Sequence, residues 1–233
     1  METEIKSYAI KRQVFESPDD WKEFRKGLFT ASRVNDLTKK PKSAEKRKVG
    51  EIFGETALTY IMETIGNTIA EPKLEYYSSA MEWGNEQEPF AVLRLCEELN
   101  LDPDSPHVIY TSQNGIVFFS CEEYNCGGTP DLIFHDSIGE IKCPNSDTHL
   151  YYKLYVNAEN FADELPEYYD QIQLNLWLTQ RDYCHFYSFD PRFKKHSQQT
   201  HRVIVKRDNE RIAYLLERCA RAKALREGAL SVL

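Results

Sequence analysis

Alternating and helical hydrophobic periods succeed one another along the chain, and each change of period marks an element. Ser17-Pro18-Asp19-Asp20 ahead of Trp21 and Phe24 predicts a short capped helix ended by Gly27, and Val34 and Leu37 predict a second one capped by Thr30 or Ser32. Val49, Ile52, Phe53, Ala57, Tyr60 and Ile61 recur at helical spacing, so a helix is expected over 43–65, closed by Gly66-Asn67. Met81, Phe90, Leu93 and Leu95 supply the apolar positions of another over 78–99, which also carries Glu82, Glu86 and Glu88. Gly84 in the middle of that helix suggests a close approach to its backbone. Two short strands at 108–111 and 116–120 lead to the run Leu132-Ile133-Phe134, and Ile138 and Ile141 follow across the turn candidate His135-Asp136-Ser137. That pattern is a β-hairpin. A polar, aromatic stretch over 149–161 passes into a helix over 166–179, then strands at 183–189 and 202–206 joined by a basic loop. A closing helix over 208–227 turns Ile212, Leu215, Leu216, Cys219 and Ala222 inward. No repeat, linker or low-complexity tract interrupts residues 1–233, so a single α/β domain is the economical reading.

Composition narrows the class. Of the 233 residues 41% are hydrophobic, enough for a substantial core, and the net charge of -8 rules out a protein whose overall field attracts polyanions. Nucleic-acid binding must then come from local patches. The strongest one is the basic segment at 39–48, expected as an exposed loop running into a helix. No apolar run reaches the roughly 20 residues of a membrane span, and the start of the chain lacks the apolar stretch of a secretory signal, so a cytoplasmic location without membrane contact is expected. Six scattered cysteines fit reduced thiols better than a disulfide framework. Cys121 and Cys126 lie close, but no second pair completes a zinc site.

The hairpin carries the candidate chemistry. Period-two alternation puts Glu140 and Lys142 on one face, and Asp131 at the start of the first strand can be brought beside Glu140. Adjacent carboxylates repel unless a cation sits between them, and oxygen ligands favour Mg²⁺, with Mn²⁺ as a substitute. A metal on two carboxylates keeps positions open for a phosphate oxygen and a water, and Lys142 is placed to orient that water or stabilise the transition state. A surface hairpin with strand-edge salt bridges fits the same short pattern. Arg25, Thr30 and Ser32 gathered at a helix start would form a phosphate pocket, although capping is the commoner use of Ser and Thr there.

Four stretches together resemble a known family: W-x-x-x-R-x-G-x-x-T-A-S at 21–32, M-E-W-G-x-x-x-E ending at Glu88, T-P-D with E-I-K-C-P in the hairpin, and Y-x-x-Q-x-Q at 168–173. They resemble the lambda exonuclease (YqaJ-like viral recombinase) branch of the PD-(D/E)xK nuclease superfamily, in the family's own order and over nearly the whole chain. The resemblance implies a restriction-endonuclease-like core, a central mixed β-sheet flanked by helices. It implies metal ligation by Asp131, Glu140 and the Ile141 carbonyl with Glu88 in support, Lys142 and Gln171 handling the water, and Tyr168 beside them. Arg25, Thr30, Ser32 and Thr129 would hold a 5'-phosphate, and Lys42 would contact DNA. Two departures stand out: Thr129 replaces a frequent serine, and 146–149 lacks an arginine, leaving His149 as a candidate in its place.

The expected activity is a Mg²⁺-dependent 5'-to-3' exonuclease that degrades one strand of linear duplex DNA and leaves a 3' overhang for recombination. The implied partners are 5'-phosphorylated duplex ends, two further copies of the chain in a homotrimer, and a single-strand annealing protein. An endonuclease on DNA or RNA and a non-catalytic DNA-binding protein of the same fold are the alternatives. The intact Asp131, Glu140 and Lys142 disfavour the second, and the Arg25 pocket disfavours the first.

Overall fold

A computed structural model describes residues 9–45, 52–70, 78–112 and 115–233. Strand β1 (Ile10–Phe15) leads into helix α1 (Pro18–Phe24), a two-residue strand β2 (Phe29–Thr30) and a 3-10 helix over Ala31–Thr38. Ser17 caps α1 by accepting the Asp19 and Asp20 amides, as its sequence predicts. Helices α2 (Glu55–Ile69) and α3 (Ser79–Leu99) follow. Strands β3 (Ile109–Tyr110), β4 (Ile116–Cys121), β5 (Cys126–Gly128), β6 (Leu132–Ile133) and β7 (Ser137–Lys142) come next. Helices α4 (Ser146–Tyr155), α5 (Phe161–Glu164) and α6 (Pro166–Thr179) lead to β8 (Tyr183–Phe189). A single turn α7 (His196–Gln199), strand β9 (Thr200–Lys206) and helix α8 (Asn209–Leu230) complete the chain.

Two mixed sheets result. One has five strands in the order β3-β6-β7-β8-β9, and only its β7–β8 pair is parallel. The other has the order β1-β4-β5-β2, with β2 parallel to β5. The expected central mixed sheet is therefore present, and a second sheet, unforeseen, stands beside it. Strands β1, β2 and β5 escaped the pattern because β1 alternates among polar residues and the other two are too short to show a period.

Helix α6 lies in the interior. From Asp170 to Thr179 only Gln171 is not buried, so the helix has no solvent face along this stretch. Its buried polar groups are held: Asp170 accepts two bonds from Arg211, at 2.6 and 2.7 Å, and one from Asn35 at 2.7 Å. Gln173 bonds the Lys206 carbonyl and the Asp208 amide. Asn175 instead abuts Gly128, where an added Cβ would stand 2.1 Å from the Asn175 Oδ1. Gly128 is thus required for β5 to lie against α6.

Several expectations need correction. Residues 44–45 are helical as expected, but residues 52–54 are non-helical, so the helix is not continuous over 43–65: α2 begins at Glu55, with Gly54 at its N-cap, and runs through Gly66 to Ile69. Val49 and the 46–48 part of the basic segment lie outside the described residues. In α3 the buried face is Ala91, Val92, Leu95 and Cys96, while Met81, Phe90 and Leu93 are exposed. Nothing approaches Gly84 within 4 Å of an added Cβ, so no close packing explains it. The aromatic stretch after the hairpin forms α4, capped by the Asn145 side chain on the Thr148 amide, and the single turn α5.

Candidate active site

The hairpin of β6 and β7 assembles the acidic centre. Leu132 pairs with Gly139, so Asp131 and Glu140 flank that pair on neighbouring strands. Asp131 Oδ2 accepts the Ile141 amide at 2.6 Å, which ties the start of β6 to β7. Glu140 is fully buried, and its Oε1 accepts from Lys142 Nζ and from Gln171 Nε2, each at 2.6 Å. The lysine therefore shares the face of Glu140, as alternation requires. Lys142 also lies 5.0 Å from the centroid of the Tyr168 ring, one turn before Gln171 on α6. Glu88 Oε1 accepts from Tyr110 at 3.0 Å and from Ser112 at 3.4 Å. Neither of those two was singled out by sequence, since nothing distinguishes Tyr110 from other strand aromatics.

Burial and mutual repulsion load this centre with protons. Burial pushes Glu88 up to about 7, with the Asp131 carboxylate adding to it. Burial also lifts Glu140 to about 7, against the pull of Lys142 and with a push from Asp131. Asp131 is raised by burial in spite of Lys142 and the Ile141 amide. For Lys142 burial alone would lower the pKa, but Glu140 and Asp131 outweigh it and the ammonium is held charged.

This centre opens into a cavity of about 510 Å³. Asp131 and Gln171 line it together with Arg25, Thr30, Ser32 and Thr129. Arg25, at the C-cap of α1, stacks its guanidinium 4.5 Å from the centroid of the Trp21 ring, a partner the sequence reading passed over. Thr129 Oγ1 is buried without a hydrogen-bond partner. A buried hydroxyl in that condition costs stability unless a ligand or water completes it.

Other expected residues fall elsewhere. Lys42 is exposed in a bend beyond the 3-10 helix and does not line the cavity. His149 is fully buried, bonded to Ser188 Oγ at 2.8 Å and to the Gln198 carbonyl at 2.9 Å, so both ring nitrogens are committed and it cannot grip a phosphate. Cys121 and Cys126 face each other across β4 and β5 inside the core.

The donor set suits a hard cation. It consists of carboxylate oxygens, and Glu140 Oε2 is buried with no partner. Among the described residues no three His, Cys, Asp or Glu side chains already stand together as a ligand cluster. Lys142 and Gln171 hold the other oxygen of Glu140, so the orphaned Oε2 is the atom that would take a metal.

A model of the YqaJ-like viral recombinase domain matches residues 20–182. The chain belongs to that family. The match spans all four sequence motifs, from the helix of Trp21 to the helix of Gln171. Among solved structures, the chain resembles LHK-Exo in complex with dAMP at 26% identity and a TM-score of 0.66, covering 92% of this chain and 95% of that one. The alkaline exonuclease LHK-Exo from Laribacter hongkongensis also matches, at 25% identity and a TM-score of 0.65 over the same shares. A phage-related exonuclease from Haemophilus somnus 129PT shares the fold, with 17% identity, a TM-score of 0.65, and 88% and 95% coverage. A search of curated proteins finds no match. The restriction-endonuclease-like fold of this family member is the frame that carries the acidic hairpin. No helix among the described residues is long and apolar enough to cross a membrane.

Proposed function

We propose that this YqaJ-family protein is a metal-dependent 5'-to-3' exonuclease that degrades one strand of linear duplex DNA and leaves a 3' overhang for recombination or repair. One observation carries the reading: Asp131 and Gln171 line the same cavity as Arg25, Thr30, Ser32 and Thr129. A site for hydrolysis and a site for a terminal phosphate would thus share one cavity. The resemblance to an alkaline exonuclease over more than nine-tenths of the chain supports it.

Asp131 and Glu140, with the Ile141 carbonyl and Glu88, would hold a divalent ion such as Mg²⁺ or Mn²⁺, which when bound supplies Lewis acidity at the scissile phosphate and acidifies the attacking water. Lys142 keeps its proton, so it would act as a fixed positive charge that orients the water and offsets negative charge developing on the phosphate oxygens. Gln171 fixes the Glu140 carboxylate through Oε1, and the Tyr168 ring flanks the ammonium. Arg25 offers a charged fork to the terminal phosphate while Trp21 holds its plane.

The activity test uses linear duplexes labelled separately at the 5' and 3' ends, beside a closed circle. Release of 5' label first, with the circle intact, is the expected result; cutting of the circle would make the protein an endonuclease. Arg25→Ala is expected to slow degradation of 5'-phosphorylated ends about ten- to a hundredfold and to erase their advantage over 5'-hydroxyl ends. Paired digestions by the two proteins decide it, and a mutant that keeps the preference removes Arg25 from the pocket.

The raised carboxylates give a pH signature. Glu88 and Glu140 bind protons more tightly in the folded chain, at about 7, than their ordinary value of 4.5. The folded state then holds more protons than the unfolded one between these values, so this contribution to stability falls as pH rises from 4.5 to 7. His149, His185 and His201 are depressed by burial and work in the opposite direction. Melting curves with and without Mg²⁺ separate the two, because the cation acts on the carboxylates alone. The Mg²⁺-induced rise in Tm is expected to be larger at pH 8 than at pH 5.5; an equal rise would contradict acid ligands that must lose protons.

The net charge of -8 also favours enclosure of DNA over attraction to a single chain. A homotrimer around the duplex would gather three basic 39–48 segments, with Lys42 among their DNA contacts, and a single-strand annealing protein would take the overhang. Sedimentation of the free protein at three times the chain mass is the expected result, and a monomer would remove the ring.

A further inference from the structure

Thr30 stands at the N-cap of the 3-10 helix, yet its side chain makes no capping hydrogen bond. Its hydroxyl is turned toward Tyr60 of α2 instead. The Thr30 amide donates to Tyr60 Oη at 2.8 Å, and Thr30 Oγ1 lies 3.3 Å from the same phenol oxygen and 3.2 Å from Ser32 Oγ. Tyr60 is 3% exposed, and its ring is fixed on two sides. The Arg33 guanidinium lies 4.1 Å from its centroid, and the Phe29 ring meets it edge-on at 5.8 Å. Arg33 is itself anchored by Asp36 at 2.9 Å and by Glu63.

Proton counting orients this chain of hydroxyls. Tyr60 Oη already accepts the Thr30 amide and has one proton to give. A buried phenol proton without an acceptor is costly, and Thr30 Oγ1 is the oxygen within reach. Once Thr30 Oγ1 accepts from Tyr60, its own proton goes to Ser32 Oγ or to a ligand, and the serine proton is left for the cavity. Burial raises the Tyr60 phenol, so it keeps its proton at working pH.

We propose that Tyr60 is a positioning residue for the 5'-phosphate: its hydroxyl donates to Thr30 Oγ1 and so turns the Thr30 proton, directly or relayed through Ser32 Oγ, toward the anion in the cavity. This rests on the phosphate-pocket reading above and adds to it a residue that never touches the DNA. Tyr60 specifies phosphate over hydroxyl ends by removing the alternative in which the two hydroxyls present lone pairs. An acceptor-lined pocket would repel a phosphate, whereas a pocket of aligned donors completes it.

Tyr60→Phe keeps the ring, the Arg33 stack and the Phe29 contact, and removes the oxygen that donates to Thr30 Oγ1 and accepts the Thr30 amide. The expected result is a rise of about three- to tenfold in KM for 5'-phosphorylated duplex ends, the size of one lost hydrogen bond, with kcat within about twofold. Digestion of 5'-hydroxyl ends is expected at the wild-type rate, which a merely structural role would not spare. Thr30→Val is the second variant, since it removes the oriented hydroxyl and leaves Tyr60 in place. It must reduce the same preference, and adding Tyr60→Phe to it must reduce the preference no further. A Tyr60→Phe enzyme that keeps the full wild-type preference, or losses that add in the double variant, overturns the proposal. A wild type with no preference between the two ends overturns the phosphate-pocket reading itself, which separates the two failures.

Discussion

Asp131→Asn, Glu140→Gln and Lys142→Ala are each expected to reduce single-turnover cleavage by about a hundredfold or more while duplex binding persists. The three act differently. Asp131→Asn keeps the shape but puts an amide where the Ile141 N–H and a cation both need a carboxylate. Glu140→Gln removes the negative charge that accepts from Lys142 and Gln171 at once, and leaves a buried amide whose own N–H competes with those donors. Lys142→Ala deletes the ammonium and exposes Glu140 to the repulsion of Asp131 without compensation. Glu140 and Lys142 do not line the cavity, and Asp131→Asn keeps the side-chain shape where it does, so grip on the DNA end by Arg25 is expected to be retained. Single-turnover cleavage and equilibrium binding of a linear duplex, measured for each variant, check the expectation. Near-normal cleavage by Glu140→Gln would overturn the assignment of the acidic centre.

Removal of divalent cations is the second large effect. EDTA is expected to eliminate cleavage, Mg²⁺ or Mn²⁺ to restore it, and Ca²⁺ to bind without restoring it. The donor set contains only oxygens, which selects hard cations, and the looser coordination of Ca²⁺ does not hold a water in line with phosphorus. A metal is also the simplest partner for Glu140 Oε2, a carboxylate oxygen sealed from water with no hydrogen bond. Activity that survives EDTA, with no metal returned, would contradict the mechanism. Binding of Mn²⁺ followed by calorimetry gives a readout independent of turnover, and Glu140→Gln is expected to weaken it.

The acidic hairpin was legible in the linear chain because its geometry is local. Two-residue alternation places Lys142 on the face of Glu140 wherever the strand forms, and a short turn returns β7 alongside β6. The boundaries of β8 and α6 were legible as well, since Pro166 suits the first position of a helix and Tyr183 opens an unbroken buried run. Helix α2 was misplaced for the complementary reason. Phe53 and Ala57 keep helical spacing, but Gly54 packs against the Lys40 carbonyl, 2.5 Å from where its Cβ would stand, and that contact is long in sequence and invisible to periodicity. The face of α3 was misread because Phe90 and Leu93 are apolar yet exposed, while small Ala91 and Cys96 are buried against β7 and β8.

By itself the sequence determined the family, the α/β alternation and the Asp131–Glu140–Lys142 trio, since each depends on residue type at short spacing. Tertiary structure alone decided that Gln171 reaches Glu140 across 31 positions and that Tyr60 reaches Thr30 across 30. It alone decided that His149 is sealed in the core and that Arg25 shares a cavity with Asp131. The physical reason is that periodicity fixes which way a side chain points from its own element, whereas the groups it meets depend on how separate elements pack. That packing is set by the sum of many apolar contacts spread over the chain, and no short stretch carries it.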